Sequence, residues 1–491
     1  MRRAVIQRAS RTTGRLTFLQ ALRSSPLAAE PVNSNGTACI GASNFANFPV
    51  GGGGCRVLSS ISRPSAPGSY IGGSGIAPSV RALDRRRLVH SSVQARAQAT
   101  SQQTRSASAM TSSEETIVVE KDTSAATVVL NRPKALNSLD TYMVKRMKQL
   151  YTKWEQDPAV KMILLKANGR AFCAGGDVRT VYQQGKQGKV ADCCEFFRSE
   201  YELNYLIACL TKPHVALING VVFGGGNGIS MHGPFRVVTE NAVFAMPETA
   251  IGLHPDVGAS YFLSRLPGHM GEYLALSGAR VLAPDMLSLG LATHFIPSDR
   301  LPSLENRLGC IGTGDPEAIH LAIQEHAERV LPAKGGIISR AAVIDACFSK
   351  STVEGVFTAL LNHASATSAS HPGWSADDAA WAAETHALLA RMSPTALKVS
   401  FRSVRDGRME SLAQCLQKEY RLSVRACNEA VTGDFYEGVR AVLVDKDGKP
   451  KWNPVQLSQV SARTVSSLFE PLSPNEELRL PVRGRAHGAR L

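Results

Sequence analysis

A chain of 491 residues, 44% of them apolar, has enough core-forming material for one large domain or two ordinary ones. Its formal charge of +14 sits almost wholly in residues 1–110, which hold 14 Arg, no Lys, one Glu and one Asp. The rest is close to neutral, so the basicity is no argument for nucleic-acid binding, and no stretch approaches the length needed to span a membrane.

Residues 1–110 are rich in Ser, Ala, Gly and Arg and almost free of acids, the composition of an organelle transit peptide followed by a linker. A mitochondrial address is expected first and a plastid second, with Arg85-Arg86-Arg87 near a processing site. Met110 is a second start that would omit this segment. The chain ends Ala489-Arg490-Leu491, a weak match to a peroxisomal address. The glycines at 51–54 fall inside the segment and need no functional reading.

From residue 114 the pattern becomes periodic. TIVVEKD and TVVLNRP predict a hairpin. A helix follows, with Ser138 as its cap and Leu139, Met143, Met147, Leu150 and Trp154 on one face. KMILLKA (161–167) predicts a buried strand running into the turn CAGGD (173–177) and a helix. The unit recurs: a helix at about 190–210, the strand HVALING, the turn GGGNG (224–228) and a helix from about 225. The strands FRVVTE and VFAMPE follow, then a helix from about 258. Strand–turn–helix units in series predict an α/β fold with largely parallel strands over 113–330. Helical patterns dominate 331–460, broken by a loop at 364–375, and 461–491 reads as a poorly ordered tail. Of ten cysteines, eight follow residue 110, and none has metal-ligand spacing. No metal site is therefore expected, and the thiols read as reduced and mostly buried.

Two glycine turns, each between a strand and a helix, carry the chemical argument. Neither has the spacing of a dinucleotide fingerprint or the Lys-Ser/Thr of a phosphate loop. A glycine turn before a helix presents bare backbone N–H groups, and two side by side aim two donors at one oxygen. Tight helix–sheet packing is the alternative. A third segment, Met246-Pro247-Glu248-Thr249-Ala250-Ile251-Gly252-Leu253-His254-Pro255-Asp256, places two carboxylates eight residues apart among apolar groups. Burial raises a carboxylate pKa and makes it a base near neutral pH; helix N-terminal capping is the bland alternative.

CAGGD, GGGNG and MPETAIGLHPDVGASYFLSRL, in this order and spacing, resemble the crotonase (enoyl-CoA hydratase/isomerase) superfamily. FRSEY (197–201), LATHF (291–295), MSPTALK (392–398) and FYEGVRAVLVDKDGKPKW (435–452) resemble its 3-hydroxyisobutyryl-CoA hydrolase branch, so the resemblance covers about 115–460. It implies a spiral of ββα repeats with a helical C-terminal part closing over an acyl-CoA. It also implies oxyanion donors at the N–H groups of Gly176 and Gly225, with Gly175 and Gly224 beside the substrate. Glu248 and Asp256 are implied at the reacting carbon and Glu200 where substrate is held.

A hydratase of this superfamily uses two carboxylates, and Gly228 stands where the second would sit, so two-carboxylate hydration looks disabled. Thioester hydrolysis needs two oxyanion donors and one carboxylate, as base on water or as nucleophile giving a mixed anhydride. The implied reaction is hydrolysis of short β-hydroxyacyl-CoA thioesters in valine breakdown, with no cofactor beyond the coenzyme A of the substrate. Arg440, Lys446, Lys449 and Lys451 are candidates for its phosphates. His254, beside the acids, either biases acyl choice and pH sensitivity or merely fills a wall. An enoyl-CoA isomerase or hydratase using Glu248 and Asp256 is a second reading. A third is a non-catalytic subunit of the mitochondrial ribosome. A small homo-oligomer is expected for an enzyme, and co-sedimentation with a large particle for a ribosomal subunit.

Overall fold

A computed structural model describes residues 115–120, 124–365 and 375–481. The transit segment, the glycines at 51–54, most of the 364–375 loop and the C-terminal tripeptide lie outside the described residues.

Strands β1 (Ile117–Glu120) and β2 (Ala125–Leu130) pair antiparallel, with Ile117 opposite Leu130. Helix α1 (Thr141–Gln156) follows. Its cap is Asp140, not Ser138: the Asp140 side chain accepts the Met143 N–H, whereas Ser138 Oγ donates to the Ala135 carbonyl. The expected face is buried, with Met143, Met147, Leu150 and Trp154 all in the core. Next come β3 (Met162–Ala167), β4 (Ala171–Cys173), α2 (Val178–Lys186), α3 (Val190–Ala208), β5 (His214–Ile218) and β6 (Val221–Phe223). The single turn α4 (Gly225–Gly228) leads to β7 (Phe235–Val238) and β8 (Val243–Ala245). After α5 (Ala259–Phe262) and α6 (Met270–Ser277) lie β9 (Val281–Leu282), α7 (Ala283–Ser288), β10 (His294–Phe295), α8 (Leu301–Cys310) and α9 (Pro316–Gln324).

The strands form two sheets. One is six-stranded, ordered β1-β2-β3-β5-β7-β10; the other is four-stranded, ordered β4-β6-β8-β9. In the second sheet β4, β6 and β8 run parallel. Their C-terminal ends therefore lie on one edge, and the two glycine turns and Glu248 are what follow those three ends. Ligand sites of parallel sheets form at such edges because successive helix N-termini and loops converge there.

The C-terminal region is helical: α10 (Ala341–Phe348), α11 (Val353–Ala364), α12 (Ala376–Leu389), α13 (Pro394–Gly407), α14 (Leu412–Cys427) and α15 (Asp434–Val439). Helix α14 packs on α3, and α13 on α5 and α6. Capping boxes start α12 at Ser375/Asp378 and α14 at Ser411/Gln414. The segment from 461 departs from the expected poorly ordered tail. It forms α16 (Ala462–Phe469), whose Val465, Leu468 and Phe469 pack with Val399, Leu422 and Val460, while Leu478 is buried further on. The Arg198 guanidinium donates to the carbonyls of Glu476 and Glu477, and Arg421 pairs with the Glu477 carboxylate at 3.1 Å. Among the described residues no helix is long and apolar enough to cross a membrane.

Candidate active site

The first glycine turn follows β4 and is held by backbone from the loop before α1. Leu139 N–H donates to the Gly175 carbonyl at 2.9 Å, and Asp177 N–H to the Leu139 carbonyl at 2.7 Å. Asp177 then caps α2 through Thr180 N–H and pairs with Arg132 at 2.8 Å. The second turn follows β6 and is tied to β8 by Asn227 Nδ2, which donates to the Ala245 carbonyl at 2.9 Å. A β-carbon on Gly225 would lie 3.1 Å from the Gly176 nitrogen, so the two turns stand side by side. Among the described residues neither the Gly176 nor the Gly225 amide donates to a protein acceptor. Two unspent N–H groups at one point are the device that stabilises a developing oxyanion.

Each glycine of the second turn has its own steric reason. Gly224 has φ +44°, and a β-carbon there would lie 2.8 Å from Glu248 Oε1. On Gly225 it would overlap Glu200 Oε1. On Gly226 it would lie 2.5 Å from the Cys173 carbonyl oxygen. On Gly228 it would lie 2.6 Å from Val257 Cβ and 2.8 Å from Asn204 Nδ2, so the place of a second hydratase carboxylate is filled by those two side chains.

A cavity of about 290 Å³ opens onto both turns. Gly175, Gly176, Gly224, Gly225, Glu200, Glu248 and Asp256 all line it. Thus the seven residues that the resemblance implied for the oxyanion donors, the acids and the substrate contacts line one cavity. Glu200 comes from α3, Glu248 starts the short turn Glu248–Ile251 after β8, and Asp256 lies in the loop before α5. Burial pushes all three carboxyls up, and repulsion from Asp256 adds to the rise at Glu200 and Glu248. Glu200 and Glu248 rise well above the ordinary carboxylate range, and Asp256 to about 6. Asp256 stays lowest because Tyr201 donates its hydroxyl hydrogen to Asp256 Oδ2 at 2.6 Å. Glu200 Oε1 and Glu248 Oε2 are buried without a partner, which leaves them available to a ligand.

The lining also includes the apolar side chains of Phe196, Phe197, Phe223, Ile251 and Leu253. At the mouth are Lys134, Arg179 and Lys446. Of the cations picked from the sequence, only Lys446 lines the cavity. Arg440 is held by Glu437, Asp445 and Asp447 at 2.6–2.9 Å, and Lys449 and Lys451 lie off the lining. Of the two readings of His254, the structure supports the wall-filling one. The histidine lines a separate cavity of about 50 Å³ with Thr395, Leu422 and Phe435, and burial lowers its pKa to about 3. It stays neutral near physiological pH and gives no pH sensitivity there.

Sequence reasoning did not find Tyr201 or the groups on α14. Glu419 is fully buried and accepts from Gly258 N–H (2.6 Å), Ser260 N–H (2.9 Å) and the Ser260 hydroxyl (2.6 Å). It thereby fixes the loop that carries Asp256, in which Val257 takes φ +56°. The cysteines are free in the eight described positions; six are buried, Cys194 is partly so and Cys310 is exposed.

The pattern of the enoyl-CoA hydratase/isomerase family matches residues 125–469. The chain is similar to "3-hydroxyisobutyryl-CoA hydrolase 1" of Arabidopsis thaliana, 45% identical over 371 residues, 76% of this chain and 96% of that protein. It is 44% identical over 370 residues to the same plant's "3-hydroxyisobutyryl-CoA hydrolase-like protein 1, mitochondrial", 75% of this chain and 90% of that one. It is also 40% identical over 376 residues to the plant's "Small ribosomal subunit protein mS47", 76% of this chain and 90% of that protein. Among solved structures, a carnitinyl-CoA dehydratase from Mycobacterium thermoresistibile superposes with a TM-score of 0.66 at 36% identity, covering 75% of this chain and all of that one.

Proposed function

The chain belongs to the enoyl-CoA hydratase/isomerase family, and from that membership we propose that it hydrolyses 3-hydroxyisobutyryl-CoA to 3-hydroxyisobutyrate and coenzyme A in valine breakdown. The observation that carries this reading is the pairing of two unspent glycine amides with three buried acids in one cavity, where Val257 and Asn204 fill the place of a second hydratase carboxylate. The names of the similar plant hydrolases support the same acyl group.

The Gly176 and Gly225 amides take the thioester oxygen as it gains charge. An ionised carboxylate then either draws a proton from water, whose oxygen attacks the carbonyl carbon, or attacks that carbon itself. In both routes the C–S bond breaks and the sulfur leaves as coenzyme A thiolate, which takes up a proton. In the second, water then cleaves the mixed anhydride. Lys446, Lys134 and Arg179 at the mouth suit the phosphates of coenzyme A, and no further cofactor enters this chemistry. We propose the mitochondrial matrix as its location; the Arg-rich, acid-poor residues 1–110 and the name of the similar mitochondrial protein support the mitochondrion.

The 40% identity to a ribosomal subunit favours a second reading, a non-catalytic part of the mitochondrial ribosome. Burying three carboxyls, two with unpartnered oxygens, opposes folding and serves no purpose in a scaffold. The test is release of free thiol by the purified full chain from 3-hydroxyisobutyryl-CoA, 3-hydroxypropionyl-CoA and crotonyl-CoA. Release from the β-hydroxyacyl thioesters that is lost in both Asp256→Asn and Glu248→Gln is expected. No release by folded protein, together with co-sedimentation with a large particle, would move the assignment to the ribosome. Single turnover in heavy-oxygen water separates the two routes, since only an anhydride leaves label in an enzyme carboxyl.

A further inference from the structure

Asp256 is the one acid of the three that receives a side-chain hydrogen bond. Tyr201 O–H donates to Asp256 Oδ2 at 2.6 Å, and the Tyr201 oxygen lies 2.7 Å from Ser423 Oγ. A phenol has a single proton. With that proton on Asp256, the Ser423 hydroxyl must donate to Tyr201, and the chain runs Ser423 to Tyr201 to Asp256. Tyr201 and Ser423 are both fully buried, and neither lines the cavity. Tyr201 therefore reaches substrate only through Asp256.

Ser423 and Glu419 are one turn apart on α14, so they share a face. That face meets the loop 256–260 and α3 together. Glu419 holds the loop's backbone while Ser423 orients the tyrosine that holds its carboxylate. The groups facing Asp256 are Glu200 and Tyr201 from α3, Glu248 from the turn after β8, and Glu419 and Ser423 from α14. Three of these are acids, so every charged neighbour that faces Asp256 works against its ionisation. The hydroxyl chain works for it, because a donor stabilises a carboxylate and not a carboxylic acid.

We propose that Tyr201, oriented by Ser423, is a positioning residue that fixes the Asp256 carboxylate and makes it the ionised acid of the site. Glu200 and Glu248 have no such donor, and burial and the charge of Asp256 hold both further from ionisation. This rests on the hydrolase reading for its kinetic consequences but not for its structural one. It also explains why a tyrosine follows Glu200 directly: on a helix, adjacent residues point about 100° apart. Glu200 then faces the cavity while Tyr201 faces α14.

The first test is Tyr201→Phe in the full chain, which removes one oxygen and keeps the ring. kcat should fall roughly 10- to 100-fold with KM changed by less than about 3-fold, as expected when a hydrogen bond to a charged group is lost. The acid limb of the kcat profile should move to higher pH, because the ionised form loses its donor. Ser423→Ala should act in the same direction and more weakly, and should add little in the Tyr201→Phe background. A merely structural tyrosine would lower thermal stability and leave the acid limb in place. Infrared titration without substrate gives an independent reading. The carboxyl band lost in Asp256→Asn should titrate at higher pH in Tyr201→Phe. Folded Tyr201→Phe with unchanged acid limb and band midpoint would overturn the proposal. A wild-type chain that cleaves no thioester would defeat the hydrolase reading, and the infrared midpoint would still decide the role of Tyr201.

Discussion

The carboxylate of Glu200 occupies the space that a side chain on Gly225 would need. One residue from α3 and one from the β6 turn thus share a single position. The glycine serves two ends, an amide open to the oxyanion and room for an acid beside it. Gly225→Ala should fold, because the severe overlap is with the far end of Glu200 and the Gly176 nitrogen, at 3.1 Å, need give only slightly, but Glu200 and the two amides cannot all keep their places. A loss of roughly 10²–10³ in kcat is expected, the typical cost of one oxyanion donor. Steady-state kinetics alongside a thermal melt would check it; near-normal kcat would show that Gly225 is glycine for folding alone.

Gly228 makes the complementary prediction. Returning a carboxylate there by Gly228→Glu should not restore hydration. The new β-carbon would press on Val257 and Asn204, both fully buried, and the carboxyl would enter a space already filled. Overpacking together with a buried acid should destabilise by ~2–4 kcal/mol. Denaturant unfolding gives the stability, and loss of the conjugated enoyl-CoA absorbance measures hydration. A stable variant that hydrates crotonyl-CoA would refute the steric account.

Two of the cations picked from the sequence are separable by their surroundings. Arg440 is spent on Glu437, Asp445 and Asp447, whereas Lys446 lines the cavity in a left-handed conformation, φ +58°. Lys446→Ala should raise KM for acyl-CoA by roughly 3- to 10-fold with kcat little changed, the signature of lost uniform binding. That rise should shrink as salt increases. Arg440→Ala should leave KM within about 2-fold, since its charge is already balanced locally. The opposite ranking in a kinetic comparison at low salt would reassign the phosphate contacts.

What the sequence disclosed and what it hid divide along physical lines. The glycine turns and Glu248 lie in short segments at the ends of β4, β6 and β8, where spacing left an oxyanion pair and tight packing both open; the family resemblance supplied the seven candidates, Glu200 and Asp256 included, that line one cavity. Glu419 and Ser423 were not among them. They sit on α14 within LQKEYRLS, where a buried acid looks like any solvated helix charge, and their partners are more than 150 residues away. The α16 segment was misread because its Val465, Leu468 and Phe469 are too few to mark a helix until Val399 and Leu422 supply the other half of the cluster. Ser138 yielded the cap to Asp140 because its hydroxyl is committed to Ala135. For His254 the sequence left two readings open, and only the structure separates them, because it lines a second cavity and not the one that holds the acids.

The buried acids also fix how stability and activity should trade. Burial raises the folded-state pKa of Glu248 well above the unfolded carboxylate value, near 4. Such a group contributes its stability below the unfolded pKa and loses it as pH rises toward the folded one, because the folded chain must hold a proton that the unfolded chain releases. Gln cannot ionise and keeps the shape. Glu248→Gln should therefore be more stable than wild type at pH 8, by ~1–3 kcal/mol, and the gain should vanish toward pH 4. The comparison must be a difference between the two proteins. His214, His232 and His254 are buried with pKa values lowered to about 3 to 4, and their stability is lost as pH falls below the unfolded histidine value. That opposite trend is common to both chains and cancels. Paired denaturant melts from pH 4 to 8 would show a gain that grows with pH. A gain independent of pH, or a loss at pH 8, would mean that Glu248 is not the strained, protonated acid that its buried and unpartnered oxygen indicates.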